Sequence, residues 1–201
     1  MSTSPKSFLT PEQYLEIERR AEFRSEYYQG EMFAMAGARR NHNLLVTNTV
    51  GQIHAQLRHR ECEVYSNDMR VRVAATGLYA YPDVVIACGP IEFLDANEDT
   101  LLNPAVIMEV LSASTEAYDR GKKFELYRSL DSLREYMLVS SDRIQIERYS
   151  RQAEGKWLLT AASRVEDAIE LESAGCTLRL ADVYERVEFA GAGDDAPRAG
   201  A

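Results

Sequence analysis

The sequence predicts an α/β chain of the mixed α+β kind: a β-sheet flanked by helices and followed by β-hairpin elements. Two near-continuous apolar runs, Pro82-Asp83-Val84-Val85-Ile86-Ala87-Cys88 and Ala105-Val106-Ile107-Met108-Glu109-Val110-Leu111, suit strands covered on both faces. Val46, Val50, Ile53 and Leu57 recur at helical spacing and mark a helix from Asn41 to about Arg58. Beyond Ser141 the pattern changes to short alternating segments separated by turn residues, which is hairpin chemistry.

Each element has its own signal. A first helix is announced by Thr10 as N-cap, Pro11 at the first helical position and Gln13 completing a capping box, then Tyr14, Leu15 and Ile17. It is expected to end near Arg24. Ser25 to Ala36 carries aromatic and apolar residues around Gln29-Gly30 and reads as a hairpin, with Glu31 directly after the glycine and Gly37 as its end. In the helix that follows, His42 sits one turn before Val46 on the same face. Met69 to Val73 alternates as a half-buried strand does, and Ala74 to Gly77 turns the chain toward the Asp83 run, which Gly89-Pro90 closes. The acidic stretch from Glu92 to Asn103 offers few core residues beyond Phe93 and Leu94 and reads as a connection or a lid. Pro104 opens the Glu109 strand, Thr115 to Leu130 forms a helix, and Glu135 to Val139 is a further strand. Ile144 and Ile146, the Glu154-Gly155 turn, Trp157-Leu158-Leu159 and short strands around Ile169 and Leu178 complete the chain, with Trp157 as a packing residue.

At 201 residues and 45% hydrophobic content the chain can bury one substantial core, and no shift of composition divides it. One domain is expected over residues 8–189, between disordered ends at 1–7 and 190–201. No apolar run approaches the length of a bilayer span, and Met1 to Ser7 lacks the hydrophobic centre of a signal peptide, so a cytoplasmic protein without a membrane partner is expected. Cys62, Cys88 and Cys176 are odd in number and far apart, which points to reduced packing residues and to neither a disulfide framework nor a zinc site. A net charge of −9 argues against a protein that coats nucleic acid by bulk electrostatics. Local basic clusters remain at Arg39-Arg40, Arg58 to Arg60, and Arg70 with Arg72.

The residue that asks most for an explanation is Lys123. Stepped at about 100° per residue, the helix places it in the middle of the inward arc formed by Leu126, Tyr127 and Leu130, with Asp119 beside it and Lys122 nearer solvent. Burying an unpaired ammonium is costly, so something anionic must lie opposite. Asp83 and Glu109, each inside a run that reads as a buried strand, supply it. Close carboxylates repel unless a proton or cation is shared, and a hard divalent ion such as Mg²⁺ takes oxygen ligands of this kind. The plainer alternative for any one of them is a structural ion pair.

Pro82-Asp83, Glu109-Val110-Leu111-Ser112 and Asp119-Arg120-Gly121-Lys122-Lys123, taken as an ordered set, resemble the Uma-type restriction endonucleases of the PD-(D/E)XK nuclease superfamily. The likeness runs from about Phe8 to Phe189 and includes Tyr28-Gln29-Gly30-Glu31, His42-Asn43 and the Leu133 to Val139 strand. It implies a restriction-endonuclease-like mixed sheet flanked by helices and Mg²⁺-dependent hydrolysis of phosphodiester bonds in DNA, with Mn²⁺ as a substitute. It also implies a homodimer. The superfamily usually carries its lysine two residues beyond the acid on one strand; that position is Leu111 here, and Lys123 on the next helix matches the lysine instead.

On that reading Asp83 and Glu109 hold the metal, and Lys123 orients the attacking water or offsets charge on the pentavalent transition state. Glu31 matches a further acidic member of the site, against the alternative of a solvated turn glutamate. His42 is either a satisfied core histidine, the commoner case, or a catalytic base. Asp119 caps its helix or pairs with the neighbourhood of Arg120, Tyr127 belongs to the core, and Asp68 ends its strand or joins the acids. Three function classes follow: an active metal-dependent endonuclease, a catalytically silent nuclease-fold protein that binds nucleic acid or a protein partner, and a hydrolase of small phosphate esters. Retention of Asp83, Glu109 and Lys123 together favours the first. The want of a glycine-rich phosphate loop counts against the third.

Overall fold

The computed structural model describes residues 8–189, so the disorder expected at 1–7 and 190–201 lies outside the described residues. Helix α1 (Pro11–Glu18) has the expected capping box, with the Gln13 amide donating to the Thr10 hydroxyl and the Thr10 amide to the Gln13 side chain. It stops at Glu18, short of Arg24. The Glu18 carboxylate accepts the Ser25 amide and the Tyr81 hydroxyl, both at 2.9 Å, which ties the helix end to the strands that follow. Strands β1 (Ser25–Tyr28) and β2 (Glu31–Ala34) form the expected hairpin. Gln29 and Gly30 turn it at φ of 49° and 87°, the left-handed pair that matches the twist of a two-residue hairpin.

Helix α2 (Arg40–Leu57) is followed by β3 (Cys62–Ser66), β4 (Arg70–Val73), β5 (Leu78–Ala80), β6 (Val84–Cys88), β7 (Thr100–Leu101) and β8 (Val106–Leu111). The next helical segment comes in three pieces: α3 (Glu116–Tyr118), a π-helical turn (Asp119–Lys123) and α4 (Phe124–Tyr127). Strands β9 (Glu135–Ser140), β10 (Ile146–Arg151), β11 (Trp157–Ala162), β12 (Ala168–Leu171) and β13 (Cys176–Arg179) and the short α5 (Leu180–Val183) complete the described chain. Among the described residues no helix is long and apolar enough to cross a membrane.

Three sheets result. A mixed six-stranded sheet in the order β11-β10-β9-β8-β6-β3 is antiparallel except at β8 and β9, whose parallel pairing is bridged by the α3 to α4 crossover. A five-stranded sheet runs β2-β1-β5-β4-β7, and β12 pairs with β13. The central strands are buried on both faces, as their continuous apolar runs require. Val84, Ile86, Val106, Met108, Val110, Met137 and Val139 pack one face against Leu45, Val46, Ile53 and Leu57 of α2. Val85, Ala87, Ile107, Leu111, Tyr136 and Leu138 pack the other against Leu126, Tyr127 and Leu130, and against Val71, Val73 and Leu78 of the second sheet. Glu109 falls in the second set by alternation, facing the segment that carries Lys123. Trp157 packs edge-on to Phe124, a packing role as expected.

Two expectations need correction. Cys62 and Cys88 are not reduced packing residues: they face each other in the antiparallel register of β3 and β6 and form a disulfide, with Cα atoms 4.0 Å apart. Their separation of 26 in sequence conceals that β3 and β6 are spatial neighbours; β3 carries no strong strand pattern of its own. Cys176 is free and buried, as expected. Arg70 is not a surface cation either, being 2% exposed. It donates to the Thr100 hydroxyl at 2.9 Å and the Tyr81 hydroxyl at 2.8 Å and pairs with Asp99 at 3.0 Å. Asp95 and Asp99 are gripped in turn by Arg19, so the acidic stretch is fastened to α1 and to the second sheet. A buried arginine with these three partners holds elements together.

Candidate active site

The site is assembled by strand register and by one helical turn. In the antiparallel pairing of β6 with β8, Val84 lies opposite Met108; one step further along the same register sets Asp83 beside Glu109. The crossover helix then brings Lys123 over them. Its Nζ lies 3.0 Å from Glu109 Oε1, 3.2 Å from Glu26 Oε1 and 3.8 Å from Asp119 Oδ1. Lys123 and Glu109 are 6% and 4% exposed, whereas Lys122 faces outward and pairs with Glu125. The π-helical turn spans Asp119 to Lys123 itself, and such one-turn insertions gather at functional sites.

Asp83 is held at both oxygens. Oδ2 accepts the Val110 amide at 2.7 Å, and Oδ1 lies 2.9 Å from His42 Nε2. A carboxylate only accepts, so His42 carries its proton on Nε2 in this pairing. His42 is therefore neither a plain core residue nor a group aimed into open space, but a partner of Asp83 delivered by the first turn of α2. Tyr127 is fully buried, as a core residue should be, and its hydroxyl reaches Glu109 Oε1 at 3.2 Å. Tyr136 donates its hydroxyl to the Asp119 carbonyl at 2.9 Å, pinning the start of the π-helical turn to β9.

The electrostatics follow from burial and from an excess of acids. Burial pushes the Glu109 carboxyl well above its ordinary value; Lys123 works in the opposite direction, and the charges of Asp83, Asp119 and Glu26 add to the upward push. Burial also raises Asp119 against the pull of Lys123. For Lys123 burial disfavours the charge, but Glu109, Glu26 and Asp119 outweigh it and hold the ammonium well above the usual lysine range. Three carboxylates thus surround one lysine, with Asp83 beside Glu109, and a further cation or shared protons would relieve the excess of acid. Among the described residues no three His, Cys, Asp or Glu side chains converge as a metal cage. A pair of carboxylates without His or Cys is the wrong donor set for zinc and the kind through which Mg²⁺, which keeps several waters, is held. Asp83 and Glu109 are the pair that would hold it, since each carboxylate has about four lone-pair sites and its hydrogen bonds use only part of them.

Glu26 joins the site as an acid that no local sequence pattern singles out. Glu31, expected as the further acid, opens β2 opposite Tyr28, on the same face of the hairpin as Glu26, which lies opposite Phe33. Glu26 contacts Lys123, and its alternation with Tyr28 on β1 was the available signal. Asp68 does not join the acids but pairs with Arg24 at the surface. Asp119 contacts Lys123, while Arg120 turns away to Glu116 and Glu147.

The fold is that of a solved structure titled as a "putative nuclease belonging to DUF820" from Anabaena variabilis, which covers 88% of this chain and 98% of its own with a TM-score of 0.72 at 16% identity. This is a restriction-endonuclease-like α+β domain. The family model described as "Putative restriction endonuclease", Uma2, matches residues 11–181, and the chain belongs to that family. Two relatives come from a Synechocystis strain. The uncharacterized protein slr1290 is 33% identical over 187 residues, 93% of this chain and 97% of the relative. The uncharacterized protein sll1609 is 35% identical over 160 residues, 80% and 90% of the two chains.

Proposed function

We propose that this chain is a divalent-metal-dependent endonuclease that hydrolyses phosphodiester bonds in DNA. The observation that carries the reading is the buried ammonium of Lys123, 3.0 Å from Glu109 in a cluster with more acid than base. Membership of a nuclease family supports it. Mg²⁺, or Mn²⁺ in its place, held by Asp83 and Glu109, would polarise the scissile phosphate and acidify a bound water.

The chain's own residues do the rest. The Val110 amide and His42 fix the Asp83 carboxylate in one orientation, which the adjoining strand makes rigid. Tyr127 and Lys123 do the same for Glu109. Lys123, kept charged by its three acids, offers a fixed cation to the attacking water or to the charge that grows on phosphorus-bound oxygens in the transition state. Glu26 and Asp119 hold that ammonium in place, and Glu31 is the further acid on the Glu26 face of the hairpin.

Incubation of the purified protein with supercoiled plasmid should give nicked or linear product with Mg²⁺ and none with a chelator in its place. Binding without cleavage at millimolar Mg²⁺ would favour the silent nuclease-fold reading. Cutting of both DNA strands goes with a twofold homodimer, the commonest closed assembly. Light scattering should therefore return twice the chain mass of 22.7 kDa, and a monomer mass at micromolar concentration would contradict the dimer. A cytoplasmic setting belongs to the same proposal. Thiols are generally kept reduced there, and the Cys62–Cys88 disulfide is the observation that weighs against that setting.

A further inference from the structure

We infer that Phe33 and Tyr118 form an aromatic rim at the mouth of the acidic cluster that stacks on a nucleobase next to the scissile phosphate. The inference rests on the endonuclease reading and names how that site positions its substrate. Phe33 lies directly opposite Glu26 in the β1–β2 register and on the same face, and Glu26 touches Lys123 at 3.2 Å. Tyr118 immediately precedes the π-helical turn that carries Asp119 and Lys123. Burial and then the charges of Glu26, Lys123, Asp119 and Glu109 act on its phenol, all of them members of the cluster.

Neither ring is used by the fold. Phe33 is 50% exposed and Tyr118 39% exposed, and neither belongs to any of the three apolar cores. Single exposed aromatics are ordinary, but Phe33 lies opposite Glu26 and Tyr118 adjoins Asp119, two acids that hold the site's lysine. The net charge of −9 and the burial of Arg70 leave little bulk basic charge with which to hold phosphates. Stacking is the neutral alternative: every base has a π-face, and an aromatic side chain engages it without regard to charge.

The test maps the cut made by the wild-type protein in a defined oligonucleotide and then places an abasic residue at each position flanking it. The double variant Phe33→Ala/Tyr118→Ala should raise KM by about tenfold or more, with kcat within about twofold. One abasic position should cost the wild-type protein the same factor and cost the variant nothing more. Phe33→Tyr/Tyr118→Phe should restore KM, and Phe33→Leu, which keeps apolar bulk without the ring, should not. An unchanged KM in the alanine variant, or an abasic penalty equal in both proteins, overturns the rim while leaving the nuclease intact. A wild-type protein that cuts no nucleic acid with Mg²⁺ or Mn²⁺ overturns both.

Discussion

Lys123→Ala is expected to abolish Mg²⁺-dependent cleavage and to cost the metal-free protein about 3–5 kcal/mol of folding free energy, the usual penalty for removing one partner of a buried ion cluster. The lysine is the cation that Glu109, Glu26 and Asp119 share at 3.0, 3.2 and 3.8 Å, and it is 6% exposed. Without it, acids that burial already disfavours as charged species are left facing one another. Mg²⁺ should return part of the loss by binding the folded state, by about 2.7 kcal/mol when present at a hundred times its dissociation constant. Urea unfolding with and without Mg²⁺ measures both quantities. A variant as stable as the parent would mean that Lys123 is not the charge on which the cluster depends.

Glu109→Gln should behave in the opposite way. It preserves shape and removes one negative charge from a group whose protonated form burial already favours. Metal-free stability should therefore be unchanged or higher, because repulsion with Asp83, Asp119 and Glu26 is relieved and Lys123 keeps two acids. Cleavage should fall on the order of 10³-fold or more, since metal assistance is worth several kcal/mol and each decade is about 1.4 kcal/mol. A structural ion pair predicts the reverse: a loss of a few kcal/mol and no response to Mg²⁺. Thermal melts of both variants and the parent, run beside plasmid cleavage, separate the two accounts.

Much of this site could be read along the chain because burying charge is expensive. A lysine centred among Leu126, Tyr127 and Leu130, and carboxylates inside runs such as Val84 to Cys88 and Val106 to Leu111, violate the local pattern and so announce themselves. The central strands were equally plain, since burial on both faces writes a continuous apolar run. What stayed hidden depends on pairings between distant segments. Glu26 meets Lys123 because of how the hairpin packs, His42 meets Asp83 across 41 residues, and Cys62 meets Cys88 through a register that no local pattern encodes. Arg70 reads as an outward strand residue until Thr100, Tyr81 and Asp99 close around it. The short strands β5 and β7 carry too few residues to show a period. A wheel at about 100° per residue finds the inward face of the Lys123 helix, yet it conceals the π-helical turn over Asp119 to Lys123.

Asp83 and Glu109 are expected to hold one divalent ion beside Lys123. Anomalous diffraction from crystals soaked in Mn²⁺ tests it most directly. The expected result is a peak between the two carboxylates, with an oxygen of each within about 2.0–2.6 Å, that disappears in Glu109→Gln. Saturating Mn²⁺ with no peak there, in crystals of a protein that cleaves DNA in a Mn²⁺-dependent way, would contradict it.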